Sequence, residues 1–287
     1  MIHHETVEAN GIRLHAARSG EGPLMLFLHG FPEYWAMWRP IVEHFGALGY
    51  CAVAPDMRGY NLSDKPPAVD AYKAKHLVAD VLALAARYTQ DKFVLVAHDW
   101  GGAVAWSVAI AHPERLAKLV MLNSPHPYLF WRELSNNPAQ QKASEYMLLF
   151  RHAKAERVLS ENGYARLLGA FSDLGEDARR ELVGAWSQPG ALTGGLNYYR
   201  ASALYPPSAE DAGARKLQLK PEDFMVRVPT LVIWGERDTA LLPGCLEGLE
   251  QVVPGVRIVR VPDATHWVAR EQTALVIREI EAFTIGK

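Results

Sequence analysis

Cysteine is scarce in this sequence: Cys51 and Cys245 are the only two in a chain of 287 residues. Two distant cysteines build no disulfide framework. Cys51 sits in the apolar run from Tyr50 to Ala54 and reads as a small buried hydrophobe. Long apolar runs are missing as well. No stretch approaches the ~18–20 residues that span a bilayer, so no membrane partner is expected. A charge excess is also lacking. The formal net charge is −2, which argues against nucleic acid as a partner, since phosphate recognition shows as a clustered basic excess. There is no block of like charge, no internal repeat and no low-complexity tract. Neither H-E-x-x-H nor C-x-x-C occurs, and the scattered histidines have no metal-ligand spacing. No metal and no other cofactor is expected. The opening MIHHETVEANGIRLH is polar and holds no apolar signal core. A cytoplasmic protein of a reducing compartment is the expectation, with the oligomeric state left open.

What is there is an ordinary globular composition, 49% hydrophobic and 22% charged. The length suits one large α/β domain, or a core with an inserted lid. Short buried-strand runs alternate with helical patterns through the first third. GIRLHAARSG reads as a strand pair, and PLMLFLHG, YCAVAPD, KFVLVA and LAKLVMLN as strands. WRPIVEHFGALG, YKAKHLVADVLALAARY and GGAVAWSVAIAHP have helical spacing between them. This alternation predicts βαβ units and a mostly parallel sheet with helices on both faces. The pattern changes near Pro125. ASEYMLLFRHAKAERVLS, GYARLLGAF and EDARRELVGAW are helical, with no buried strand among them. TLVIWGERD and VRIVRVPDATH then resume the alternation before a closing helix near Arg270 to Thr284. The expected division is a core of residues 1–124 and 226–287, with 125–225 a helical cap over the C-terminal edge of the sheet. Ligands bind at that edge in open α/β folds.

Three chemically capable residues follow strand-like runs. Asp99 follows FVLVA, Asp238 follows TLVIWGER, and His266 follows RIVRVPDAT. Their order is that of nucleophile, acid and base in α/β-hydrolase triads. The stretch VAHDWGG has the shape of a nucleophile elbow, with an aspartate where serine usually stands. A serine must be deprotonated before it attacks. A carboxylate with a reference pKa of about 4 is already ionised, so it can displace a leaving group at saturated carbon and form an alkyl ester. The histidine is then left to activate water for the second step. An N-cap is the plainer reading of Asp99, but it leaves Asp238 and His266 unexplained. The second step makes an oxyanion. The backbone N–H groups of Phe31, in the turn HGFP, and of Trp100, after the nucleophile, are the candidate donors. HGFP also reads as a plain tight turn with a cis Phe31–Pro32 bond. His29 is expected to brace that loop, and His98 to pack or to hold a backbone group.

HGFPEYWAMWRP (29–40), PDMRGYNLSDKP (55–66), VAHDWGGAVAW (96–106), NYYR (197–200), WGERDTALLP (234–243) and THW (265–267) together resemble the epoxide hydrolases of the α/β-hydrolase fold. The resemblance runs along nearly the whole chain and is weakest in the helical insert. It implies Asp99 as nucleophile, Asp238 as the acid that orients the base, His266 as the base, and Phe31 and Trp100 at the oxyanion hole. It also implies two ring-opening tyrosines in the cap, Tyr199 in NYYR and Tyr146 in SEYMLLF. The implied partners are a small hydrophobic epoxide and water. Two departures stand out: Ala97 opens the elbow where the general motif has Gly, and Thr265 precedes His266 where many relatives have Gly. The alternatives are a dehalogenase using the same aspartate, another aspartate-dependent hydrolase, or a non-catalytic protein of the same fold that binds a hydrophobic ligand. Fluoroacetate dehalogenases carry arginines just after the nucleophile and a His-Trp pair in the lid. Here Trp100 to Ala103 and Tyr146-Met147 stand in those places. Haloalkane dehalogenases usually have Asn where Phe31 stands. Phe130, Trp131, Phe150, Phe171 and Trp186 have the spacing of core packing residues and are not assigned to the site.

Overall fold

The computed structural model describes residues 1–171 and 173–285. Eight strands form one sheet: β1 (His3–Ala9), β2 (Ile12–Ser19), β3 (Leu24–Leu28), β4 (Cys51–Pro55), β5 (Phe93–His98), β6 (Leu116–Leu122), β7 (Thr230–Gly235) and β8 (Arg257–Val261). Their order is β1-β2-β4-β3-β5-β6-β7-β8; β2 runs antiparallel to both its neighbours, β1 and β4, and the other pairs are parallel. The central strands β3, β4, β5 and β7 are buried at every residue, as a sheet covered on both faces requires. Helices α1 (Arg39–Ala47) and α12 (Thr273–Ile285) touch each other, as do α2 (Ala74–Tyr88) and α3 (Asp99–Ala111). The short α10 (Leu249–Val252) and α11 (Val268–Glu271) complete the α/β part. Among the described residues, no helix is long and apolar enough to cross a membrane.

Among the described residues, six α-helices lie between β6 and β7: α4 (Pro127–Asn136), α5 (Pro138–Ala143), α6 (Tyr146–Arg151), α7 (Ala155–Leu168), which is broken by non-helical backbone at 161–164, α8 (Glu176–Trp186) and α9 (Ala191–Ala201). The described residues of this block hold no strand, as the sequence predicts. Direct bonds tie this block to the loops at the C-terminal edge of the sheet. The Trp186 indole donates to Pro32 O, the Trp267 indole donates to Ala170 O at 2.8 Å, and the Tyr198 hydroxyl donates to Arg58 O at 2.9 Å. Gly194 sits so close to Gly59 that an added Cβ would lie 2.2 Å from the Gly59 carbonyl oxygen.

Three local expectations are corrected. GIRLHAARSG is one strand, not a pair. Its partner is His3–Ala9, joined through a left-handed turn at Asn10-Gly11. That partner is an exposed edge strand with only Val7 and Ala9 buried, so its apolar signal is weak. ASEYMLLFRHAKAERVLS is not continuous: His152 turns extended and closes α6. The closing helix is broken at Gln272, between α11 and α12.

A buried ion pair links two loops that flank the C-terminal edge of the sheet. Glu33, just after Pro32, receives bonds from both Nε and Nη2 of Arg270, the second at 2.7 Å. The Glu33 side chain is fully buried, while Arg270 keeps 25% exposure. Removing one partner strands the other charge. Arg270→Met is expected to lower stability by about 3 kcal/mol, the low end for a broken buried pair because Arg270 is part-exposed. Denaturant midpoints measure this. A Glu33→Gln/Arg270→Met double variant should lose less than Arg270→Met alone.

Candidate active site

Register brings the site together. β3 and β5 are parallel neighbours with Leu28 opposite Ala97, so both strands end at one level. The turn after β3 therefore meets the first residue after β5. Asp99 is held at φ +50°, in the left-handed region, between extended His98 and helix α3. That sharp turn aims its side chain off the sheet edge, as in a nucleophile elbow. Two glycines make room for it. A Cβ on Gly30 would lie 2.2 Å from Asp99 Oδ1, and one on Gly101 would lie 2.4 Å from Leu28 O. Ala97, where the general motif has Gly, is a fully buried strand residue and does not disturb the turn.

The other residues converge by the same logic. β6 lies beside β5 with Leu122 opposite His98, and β7 lies beside β6. Asp238 follows β7, and His266 lies in the turns after β8. His266 Nδ1 bonds Asp238 Oδ2 at 2.7 Å, and His266 Nε2 lies 3.6 Å from Asp99 Oδ2. The first contact is a hydrogen bond; the second is too long to be one. Asp238 accepts from the backbone N–H groups of Ala240 and Leu241 at 2.8 and 2.9 Å, and from Asn123 Nδ2 at 2.8 Å. Asn123 was not singled out from the sequence. It stands at the end of β6 with φ +36° and also accepts from Gly235 N–H. An Asn ending a buried strand, tolerant of that backbone, was the available signal.

Burial alone would push the Asp238 carboxyl up, but the His266 charge and the donors around it pull it below its ordinary value. Burial would likewise lower His266. The charge and hydrogen bond of Asp238, with the Asp99 charge, outweigh this and lift His266 to about 9. Burial raises Asp99, opposed by the His266 charge and by the N–H groups of Phe31 and Trp100. Phe31 N–H donates to Asp99 Oδ1 at 2.8 Å. Oδ1 is thus held, and Oδ2 is the oxygen nearer the base. Ser124 Oγ donates to Asp99 O at 2.8 Å and steadies the elbow from β6.

The remaining histidines brace the frame. His29 bonds Gly30 O through Nδ1 at 2.9 Å and accepts the Met57 N–H at Nε2. The Phe31–Pro32 bond is cis. His98 Nε2 donates to the backbone carbonyl of His266 at 2.8 Å, so the residue before Asp99 holds the His266 turn in place.

Two cavities meet at Asp99. A larger one, about 390 Å³, is walled by Phe31, Leu149, Phe150, Leu167, His266 and Trp267 among others. A smaller one, about 70 Å³, is walled by Trp100, Pro127, Phe130, Met147, Leu204 and Leu241 among others. Asp99, Tyr146 and Tyr199 line both. The two tyrosine rings stand edge to face, 6.2 Å apart, and the Tyr199 ring is 5.0 Å from that of Trp100. Burial, then the Asp99 charge, pushes both phenols well above their ordinary pKa. They stay protonated at neutral pH. Of the cap aromatics left unassigned, Phe130 and Phe150 line the cavities. Trp131 instead donates to Ala214 O, and Phe171 stacks on Trp267. Among the described residues, no cluster of three His, Cys, Asp or Glu side chains is placed to hold a metal.

The whole chain has clear relatives. The profile of the α/β hydrolase fold family matches residues 23–271. The AB hydrolase superfamily protein YfhM of Bacillus subtilis is 39% identical across 94% of this chain and 93% of its own length. Epoxide hydrolase 2 of Caenorhabditis elegans is 34% identical across 98% of this chain and 79% of its own. Among solved structures, an inhibitor complex of the epoxide hydrolase of Bacillus megaterium superposes with a TM-score of 0.89 at 34% identity, covering 97% of this chain and 99% of that one. An epoxide hydrolase from metagenomes of hot environments superposes at 0.92 with 36% identity, over 100% of both chains. An aspartate at the elbow, a histidine charged by a second carboxylate and near full-length likeness to these enzymes lead to one placement: the chain belongs to the α/β-hydrolase fold family, in the group that holds these epoxide hydrolases.

Proposed function

We propose that this protein hydrolyses a small hydrophobic epoxide to a vicinal diol, through an ester on Asp99. One observation carries the reading. An elbow carboxylate that needs no base to attack shares its cavity walls with two protonated phenols, Tyr146 and Tyr199. A carboxylate supplies the nucleophile and phenols supply the acid, which is what opening a strained ether requires. Residues 125–225 act as the cap that carries the phenols, and residues 1–124 and 226–287 as the core that carries the triad.

In the first step Asp99 Oδ2 attacks a ring carbon, and the carbon–oxygen bond of the ring breaks. The leaving oxygen takes a proton from a cap phenol. Once the ester has removed the Asp99 charge, His266 gives up its own proton to solvent, to be regained when the carboxylate returns; in the second step the neutral imidazole takes a proton from water, and the resulting hydroxide adds to the ester carbonyl carbon. The carbonyl oxygen, Oδ1, becomes the oxyanion and is held by the N–H groups of Phe31 and Trp100. Collapse breaks the ester bond, and the diol oxygen takes the proton from His266. The second water proton leaves the regenerated Asp99 carboxyl and restores the phenol. The unequal cavities favour an epoxide with a larger apolar group on the His266 and Trp267 side and a smaller one beside Trp100. The two buried thiols, Cys51 and Cys245, fit a reducing compartment, and a cytoplasmic location accords with them.

Alkylation changes the charge that His266 faces. A neutral ester in place of the Asp99 carboxylate removes one of the charges that lift its pKa to about 9. The imidazole pKa should then fall, and the group becomes a free base when a base is needed. Asp99→Asn imitates that neutral state. NMR titration of the His266 imidazole should place its pKa below that of the unaltered enzyme. An equal or higher value contradicts this account.

Turnover decides the activity. Purified enzyme should convert styrene oxide or a bulkier aryl epoxide to the diol and release no halide from haloalkanes or haloacids. Halide release without diol formation would replace this reading with the dehalogenase one.

A further inference from the structure

The two tyrosine-bearing helices are joined by a pair of arginines that trade places. Arg151 ends α6, the helix that begins with Tyr146. Its guanidinium donates to the carbonyl oxygens of Tyr199, of Arg200 at 3.4 Å and of Ser202 at 2.9 Å, all at the C-terminal end of α9. Arg200, in the last turn of α9, reaches the other way. It donates to His152 O, just past the end of α6, at 3.3 Å, and grips Glu156 of α7 at 2.7 and 2.8 Å. Arg151 thus caps the terminal carbonyls of α9, and Arg200 answers with a bond to the carbonyl just past α6. Such carbonyls have no partner within their own helix, and the negative end of the helix dipole favours a cation there.

Arg151 has no carboxylate within ion-pair distance among the described residues; its hydrogen bonds go to carbonyls, the Tyr205 ring lies 3.8 Å below the guanidinium, and the Asp211 charge acts on it from beyond Tyr205. Tyr205 is itself anchored by its hydroxyl to Asp211 at 3.1 Å. The planar fork therefore spends its donors on backbone position rather than on a charge. One of those carbonyls belongs to Tyr199. The other cap phenol, Tyr146, lies at the far end of the helix that carries Arg151.

We propose that Arg151 is a positioning residue for ring opening, and that the reciprocal clasp of Arg151 and Arg200 fixes Tyr199 relative to Tyr146 over Asp99. This rests on the reading of the two tyrosines as ring-opening acids. The clasp acts through Tyr199, so its loss slows formation of the ester and leaves hydrolysis of the ester alone.

A double-mutant cycle tests it. Arg151→Met keeps the aliphatic stem and removes the donors; Tyr199→Phe removes the acid. Rapid-mixing single turnovers with styrene oxide give the rates of ester formation and of ester decay separately. Arg151→Met should slow ester formation by about tenfold or more with the decay rate unchanged, and much less than that when Tyr199 is already Phe. Arg151→Lys should restore part of the rate, and Arg200→Met should show the same selective loss. If Arg151→Met does not fold, Arg151→Lys and Arg200→Lys are run through the same cycle. A role confined to cap stability gives equal factors in both backgrounds, or slows both steps; either result, or a wild-type rate in the arginine variants, overturns the clasp. Ester formation by Tyr199→Phe at the wild-type rate instead sinks the ring-opening reading on which the clasp rests, and that outcome is visible before any arginine is changed.

Discussion

His266→Gln should turn the enzyme into a reagent that reacts once and stops. Asp99 attacks without a base, so the ester still forms. Its hydrolysis needs a group that takes a proton from water, and glutamine cannot. A positioned general base contributes about 10²–10⁴-fold, and ester decay should slow by a factor in that range. Intact-protein mass spectrometry after mixing with epoxide should show the chain heavier by one substrate, with the added mass on the peptide that contains Asp99. The frame should survive, because His98 bonds the backbone carbonyl of residue 266 and not its ring. Glutamine also loses the imidazolium charge that opposes the burial of Asp99, so the first step should slow moderately too. An unmodified mass, with residual turnover excluded, speaks against a covalent route.

The phenols carry the second large effect, and it falls on the opposite step. Ring opening places charge on an oxygen far more basic than a carboxylate, and donors that strengthen as that charge grows lower the barrier. Tyr146→Phe and Tyr199→Phe each keep the ring, so the edge-to-face packing with Phe150 and Trp100 is preserved while the hydroxyl goes. Loss of one donor should cost about 2–4 kcal/mol in ester formation, by analogy with loss of one oxyanion donor. The double variant should be nearly inactive. Ester decay should hardly change. The Asp99 charge that raises both phenols disappears on alkylation, so each becomes a better acid as the ring opens. Wild-type ester formation by both single variants would falsify the cap-phenol mechanism.

The sequence was most legible where a residue's place in space follows from its position at a strand end. Asp99, Asp238 and His266 could be named because buried runs such as FVLVA and TLVIW are unmistakable, and parallel strands finish at one edge. His29, His98 and the cis bond before Pro32 could be read from local chemistry alone. The cap was harder. Helical spacing marks an apolar face but does not say which cavity it meets, so Phe130 and Phe150 were indistinguishable from Trp131 and Phe171. Asn123 carried a signal only in its place at the end of a buried strand, and the Glu33–Arg270 pair carried none, because its partners are more than two hundred residues apart and only the fold brings them together. The first strand was missed for a different reason: an edge strand with one lightly buried face carries little periodic signal.

The placement of the cap has a consequence for how this chain folds and how it can be altered. β6 and β7 lie side by side, yet roughly a hundred residues separate them in sequence. Closing a loop costs entropy that grows only with the logarithm of its length, about 0.6 kcal/mol for each doubling. The strands therefore tolerate a detour of almost any size between Asn123 and Pro229. A cap could be shortened, lengthened or exchanged at that junction with little penalty to the sheet, provided the replacement brings its own packed interior. The triad, spread over the ends of β5, β7 and β8, would be left intact. The cost would appear in time rather than in stability. Pairing β7 with β6 demands a contact between distant parts of the chain, and such contacts form slowly. Newly made protein should pass through a stage in which β7 and β8 are not yet docked and the edge of β6 is open. At that stage, rather than in the finished fold, a redesigned cap would be most exposed to aggregation.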